Sequence, residues 1–165
     1  MPKITPCLWF DHEAEEAARY YVGIFAAKSR NSRIGKILYY TEAGQDVHGQ
    51  KVGTVLTVSF TLDGVEFTAL NGGAPFNFNE RISFQVSCKS QEEVDYFWEK
   101  LSAGGDENVQ QCGWLKDRYG VSWQVFPAKL MNMLQDKDER RAGRVMKSLL
   151  TMKKIDTRKL EEAYA

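Results

Sequence analysis

Ser122, Gln124 and Phe126 alternate with Val121, Trp123 and Val125 along Gly113–Pro127, GWLKDRYGVSWQVFP. Side chains in a strand have a period of two, so the two sets face opposite sides. Two valines and a tryptophan suit a core. A hydroxyl, a carboxamide and an aromatic ring suit a pocket that holds a small molecule by a few hydrogen bonds and a flat apolar contact. Other chemistry is thin. His12, in the step Asp11-His12-Glu13, and His48, in Gly44-Gln45-Asp46-Val47-His48-Gly49, read as exposed loop residues rather than bases or ligands. The chain has no GxSxG elbow, Ser-His-Asp set or P-loop. Gly72-Gly73 and Gly104-Gly105 read as turns, because neither follows a strand and opens a helix as a phosphate cradle requires.

The elements that must position these residues form a repeat. Asp63-Gly64-Val65-Glu66-Phe67 has the order of Tyr119-Gly120-Val121-Ser122-Trp123, and Glu15-Glu16-Ala17-Ala18-Arg19-Tyr20-Tyr21 that of Glu92-Glu93-Val94-Asp95-Tyr96-Phe97-Trp98. Two matches in the same order predict a duplicated βαβββ unit. In the first, a strand over Ile4–Phe10 leads to a helix with Ala14, Ala17, Ala18, Tyr21 and Phe25 on its buried stripe, then to strands near Arg33–Thr41, Val52–Leu62 and Val65–Leu70, with a hairpin at Asp63-Gly64. In the second, Ile82–Val86 is the first strand. Ser90-Gln91-Glu92-Glu93 is a capping-box signature opening a helix with Val94, Phe97, Trp98 and Leu101 inward, and strands follow near Val109–Gln111, Trp114–Lys116 and Val121–Phe126. Pro127 suits the first turn of a helical tail whose last member starts at Asp156.

Composition bounds the class. At 165 residues and 43% hydrophobic, the chain can bury a core without a second domain. No run approaches the roughly 20 apolar residues of a membrane span, and the start Met1-Pro2-Lys3-Ile4 does not read as a signal peptide, so a cytoplasmic protein with no membrane partner is expected. Cys7, Cys88 and Cys112 form no CxxC pair and fit reduced thiols. Twenty-two basic residues balance 22 acidic ones, which argues against nucleic acid as the main partner. The basic run from Lys129 to Lys159 is interspersed with acids and with apolar Val145, Met146, Leu149 and Leu150, as on an amphipathic helix.

GWLKDRYGVSWQVFP, Ala69–Gly73 (ALNGG), Phe78–Cys88 (FNERISFQVSC), Glu92–Leu101 (EEVDYFWEKL) and Leu8–Asp11 (LWFD) together resemble the PhnB-like family. That family often carries the label 3-demethylubiquinone-9 3-methyltransferase and belongs to the vicinal oxygen chelate superfamily of glyoxalase I, bleomycin-resistance proteins and extradiol dioxygenases. The resemblance implies an α+β fold in which two tandem βαβββ modules form a curved, mainly antiparallel sheet around a cavity, commonly in homodimers. The glyoxalase-like domain spans about 1–127, with modules near 1–76 and 77–127, and 128–165 is a helical C-terminal extension of it. Open sheet edges and the apolar stripe of the tail add to the expectation of a homodimer, with the tail helices at or near the interface.

The superfamily places metal ligands on the cavity face of the first and last strand of each module. The resemblance puts Thr5, Thr68, Arg81 and Gln124 at those positions, a poor set for a divalent ion, with Glu66 one alternate position along its strand. A metal-free protein without a cofactor is therefore expected, Glu66 and Gln124 being the alternative ligands. Strand parity predicts a cavity lined by Thr5, Cys7, Trp9, Glu66, Thr68, Arg81, Ser83, Gln85, Ser122, Gln124 and Phe126. The leading expectation is a binding protein for a small molecule, anionic if Arg81 meets it and aromatic if the rings do. The runner-up is a metal-dependent enzyme of lyase, isomerase or dioxygenase type. The methyltransferase label comes third, because no Gly-rich strand-to-helix turn with an acidic ribose partner is present. For Arg81 an ion pair with Glu66 or Glu80 is the structural alternative.

Overall fold

A computed structural model of the chain describes residues 4–28 and 30–165. They divide into two compact units, Met1–Asn77 and Phe78–Ala165. The first runs β1 (Cys7–Phe10), α1 (Ala14–Ala26), β2 (Arg33–Tyr39), a single-turn α2 (Gln45–His48), β3 (Val55–Leu62) and β4 (Val65–Asn71). Its strands form an open sheet in the order β1-β4-β3-β2. β1 is parallel to β4, and the other two pairings are antiparallel.

Register and burial separate the two faces of this sheet. Leu8, Phe10, Val58, Phe60, Phe67 and Ala69 are buried on the face that meets α1, whose Ala14, Ala17, Ala18, Tyr21, Ile24 and Phe25 are buried in turn. Phe60 stacks on Phe67 at 5.3 Å between ring centroids and on Tyr21 at 6.4 Å. The small alanines let the helix approach closely while the aromatic rings fill the volume between it and the sheet. The β3–β4 hairpin turns at Asp63 and Gly64, both at positive φ (49° and 84°), as a tight turn between twisted strands needs. At the start of α1, Glu13 makes no side-chain cap. Instead Asn71, at the end of β4, accepts a hydrogen bond from the Ala14 N–H (2.8 Å) through Oδ1 and donates through Nδ2 to the Val55 carbonyl (3.0 Å).

The second unit runs β5 (Ser83–Cys88), α3 (Gln91–Ser102), a 3-10 turn at Glu107–Val109, β6 (Trp114–Lys116) and β7 (Ser122–Pro127). Its sheet has the order β5-β7-β6, with β5 parallel and β6 antiparallel to β7. The strand expected at Val109–Gln111 is replaced by that turn and one bridge, Gln111 to Trp114. Asp106 explains the difference: its side chain accepts the Asn108 N–H (2.9 Å) and so holds the chain in a tight turn. Ser90 caps α3 by accepting the Glu93 N–H (3.3 Å), but Glu93 reaches back to the N–H of Lys89 (2.9 Å) rather than to that of Ser90. Val94, Phe97 and Leu101 pack under Val86, Leu115, Trp123 and Val125, all buried.

Pro127 ends β7 instead of starting a helix, and the tail follows as α4 (Leu130–Leu134), α5 (Glu139–Leu149) and α6 (Thr157–Tyr164). Asp138 and Asp156 cap the last two. The tail has its own core of Leu130, Met133, Val145, Leu149, Met152, Ile155 and Leu160. It is stitched to the unit by Gln91, which accepts the Thr157 N–H (2.8 Å) and donates to the Ile155 carbonyl (3.1 Å), and by the Cys112 N–H on the Met152 carbonyl (2.8 Å). No helix among the described residues is long and apolar enough to cross a membrane.

Candidate functional site

The turn that opens β7 sets its parity. Asp117 is buried and accepts hydrogen bonds from the N–H groups of Tyr119 (2.9 Å) and Val121 (3.0 Å) and from Trp123 Nε1 (2.8 Å). One carboxylate thus ties the turn to the core tryptophan and turns Ser122, Gln124 and Phe126 to the other face. On that face Ser83 lies opposite Ser122, Gln85 opposite Gln124, and Trp114 opposite Gln124 from β6. Gln124 donates to Ser83 Oγ (2.8 Å) and accepts a long bond from Gln85 Nε2 (3.4 Å). Ser122 is buried, and its hydroxyl has no hydrogen-bond partner.

A cavity of about 240 Å³ lies along this face, under the tail. Gln85 and Gln124 are its polar lining; Trp114, Phe126 and Cys112 from the sheet side and Met131, Leu134, Met146, Leu149 and Leu150 from α4 and α5 are among the rest. Trp114 was legible in principle, because it faces Gln124 across a hairpin. The tail residues had no such signal, since helical periodicity shows that a face is apolar but not which sheet it covers.

In the first unit the corresponding face carries Cys7 opposite Thr68 in register. Thr5 precedes β1 and shares a surface hollow of about 250 Å³ with Ile4, Gly64, Val65 and Glu66. Trp9 donates its indole N–H to the Gly73 carbonyl (2.8 Å) and meets the edge of Phe76 at 5.2 Å. The ring lies so close to Gly72 that a Cβ there would stand 2.2 Å from it, which accounts for the glycine after Asn71. Burial pushes the Cys7 thiol pKa up.

Arg81 stands outside the polar set of the second sheet. It lies two residues before β5, exposed, and its N–H donates to Asn79 Oδ1 (3.0 Å). Glu80 pairs with Lys116 instead, which holds the Glu80 carboxyl below its ordinary range. Register makes Ser83, rather than Arg81, the counterpart of Thr5: Gln85 meets Gln124 in the second sheet as Cys7 meets Thr68 in the first. Among the described residues no group of three or more His, Cys, Asp or Glu is placed to hold a metal ion. His12 is exposed beside Asp11 (3.2 Å), and His48 packs on the Tyr40 ring and accepts the Gln50 N–H (3.0 Å).

Two pairings of a strand–helix–strand unit, each leaving one sheet face polar and uncovered by its own helix, make up the tandem modules that the sequence repeat predicts. Residues 2–126 match the family model described as 3-demethylubiquinone-9 3-methyltransferase. The PhnB protein from Bacillus cereus is 36% identical over 77% of this chain and 100% of its own, with a TM-score of 0.61. The chain belongs to this PhnB-like family. A protein from Pseudomonas aeruginosa shares the fold at 16% identity, covering 77% of this chain and 98% of its own, with a TM-score of 0.56. A glyoxylase/bleomycin resistance protein/dioxygenase domain from Frankia aligns at 14% identity over 77% of this chain and 92% of its own, with a TM-score of 0.46, too loosely for its label to bear on activity here. No curated protein matches the chain.

Proposed function

We propose that the protein binds a small molecule on the open face of its second sheet and does so without a metal ion. The observation that carries this reading is the polar set on that face: Gln85 and Gln124 line the cavity, Gln124 donates to Ser83 behind it, and beside them lies the buried, unpartnered hydroxyl of Ser122, which is not part of the cavity lining. Leaving such a hydroxyl unsatisfied costs about 1–3 kcal/mol. Native proteins rarely accept that cost unless a water or a ligand completes the group.

Donor chemistry supports the metal-free part. Both ends of the Gln124 carboxamide are engaged by neighbours, Ser83 offers only a hydroxyl, and Arg81 would bring a positive charge. A divalent ion wants imidazole or carboxylate. The metal-dependent lyase, isomerase or dioxygenase alternative would have to recruit Glu66 or Gln124, and the family's methyltransferase name has no support in a Gly-rich strand-to-helix turn of this chain.

Metal analysis of protein purified without chelator tests the reading. Substoichiometric zinc, nickel, iron and manganese are expected, and adding these ions should leave the thermal midpoint unchanged, because an ion that binds the native state raises it by mass action. One tightly held ion per chain would overturn the metal-free reading.

A further inference from the structure

Resting on that small-molecule reading, we infer that α4 and α5 complete the site as a pocket for a neutral, flat aromatic compound of one or two rings that carries an N–H and a C=O side by side, as a lactam does. The family match ends at residue 126, and the Bacillus cereus relative is covered in full by 77% of this chain, so this wall is an addition to the family's matched core. The cavity, about 240 Å³, is smaller than the roughly 300–1,000 Å³ that holds drug-sized ligands, which sets the ring count.

Charge and polarity set the rest. None of the described residues lining the cavity is Asp, Glu, Lys or Arg, so neither an anion nor a cation finds a counter-charge there. Gln85 gives one N–H to Gln124, leaving its second N–H and its carbonyl oxygen for a ligand. A lactam edge complements both. The walls offer the rings of Trp114 and Phe126 and the thioethers of Met131 and Met146, which suit an aromatic face. Met131 and Met146 are 46% and 42% exposed, whereas their neighbour Val145 is fully buried in the tail core, so these two methionines are surplus to the packing of the tail itself.

Calorimetry on the full chain with oxindole and with indane, which has a similar shape and no polar edge, tests the assignment. Oxindole is expected to bind about tenfold tighter than indane, the size of one or two net hydrogen bonds. Gln85→Met should abolish that preference, and Met146→Trp, which fills the pocket from an exposed position, should abolish binding of both compounds. Met131→Trp does the same from the α4 side should the first variant fail to fold, with the thermal midpoint as the check on folding. Equal affinities, no oxindole binding, or oxindole binding that survives the tryptophan variants overturns this pocket. If other small molecules still bind, the broader reading stands; if no compound in a panel binds, both fall. A dimer that excludes oxindole and is dissociated by Met146→Glu in light scattering would assign the face to a second copy and likewise overturn the proposal.

Discussion

Replacing Asp117 should unfold the second unit more readily than its position in a turn suggests. The carboxylate is buried and accepts the Tyr119, Val121 and Trp123 N–H groups at 2.9, 3.0 and 2.8 Å. Hydrogen bonds to a charged group contribute about 1.5–3 kcal/mol each, so the gross stabilisation is on the order of 4.5–9 kcal/mol. Taking the carboxylate out of water offsets several kcal/mol of this. Asp117→Ala leaves the indole N–H and two backbone donors without an acceptor, and the expected net loss is about 3–5 kcal/mol, against a typical total of about 5–15 kcal/mol. Asp117→Asn can keep the two backbone bonds but turns an amide N–H toward the indole N–H, for a loss of about 2–3 kcal/mol. Urea denaturation followed by tryptophan fluorescence reads both values, since Trp123 is itself one of the donors. A loss below about 1 kcal/mol for the alanine variant would refute the reasoning, because water would then be replacing the carboxylate at no cost.

Gly72→Ala should cost about 1–3 kcal/mol in the same assay, the usual penalty of overpacking, because the new Cβ would stand 2.2 Å from the Trp9 ring; an unchanged midpoint would show that the ring moves aside freely. Tyr164 donates a hydrogen bond to Asp136, which lowers the Asp136 carboxyl pKa and raises that of the Tyr164 phenol. A depressed carboxyl contributes stability above its unfolded pKa, about 3.9, that is lost as pH falls through the folded value; a raised phenol contributes stability below about 10 that is lost as pH climbs through its folded value. Tyr164→Phe should therefore raise the Asp136 pKa toward the ordinary range in an NMR titration, the Asp138 N–H and the Arg141 charge still holding it down, and an unmoved Asp136 would contradict the pairing. A two-fold homodimer with the tail helices at or near the interface is expected by light scattering at micromolar concentration, and a monomer there would remove it.

The two-residue period of Val121–Phe126 and the repeat around Gly64 and Gly120 were enough to give both sheets their faces, because parity depends only on local pattern once a turn is placed. What could not be read depended on distant partners. Asn71 caps α1 from 57 residues away, and Trp9 finds its hydrogen-bond acceptor 64 residues on. The resemblance sets Arg81 on the cavity face of the second module's first strand, whereas pairing of β5 with β7 begins two residues later, at Ser83. The tail stripe was legible as apolar, but Val145 and Leu149 are used inside the unit, and only Met146 and Leu150 remain exposed. The Asp117 turn was visible as a turn, not as the acceptor that locks Trp123, because nothing local says that its carboxylate points inward.

NMR of the metal-stripped, isotope-labelled chain, titrated with a panel of small aromatic compounds, tests the central claim most directly. Compounds that bind are expected to shift the side-chain amide resonances of Gln85 and Gln124, equally with and without added zinc. Shifts that appear only after a divalent ion is supplied, or binding that leaves both amides unmoved, would contradict the account.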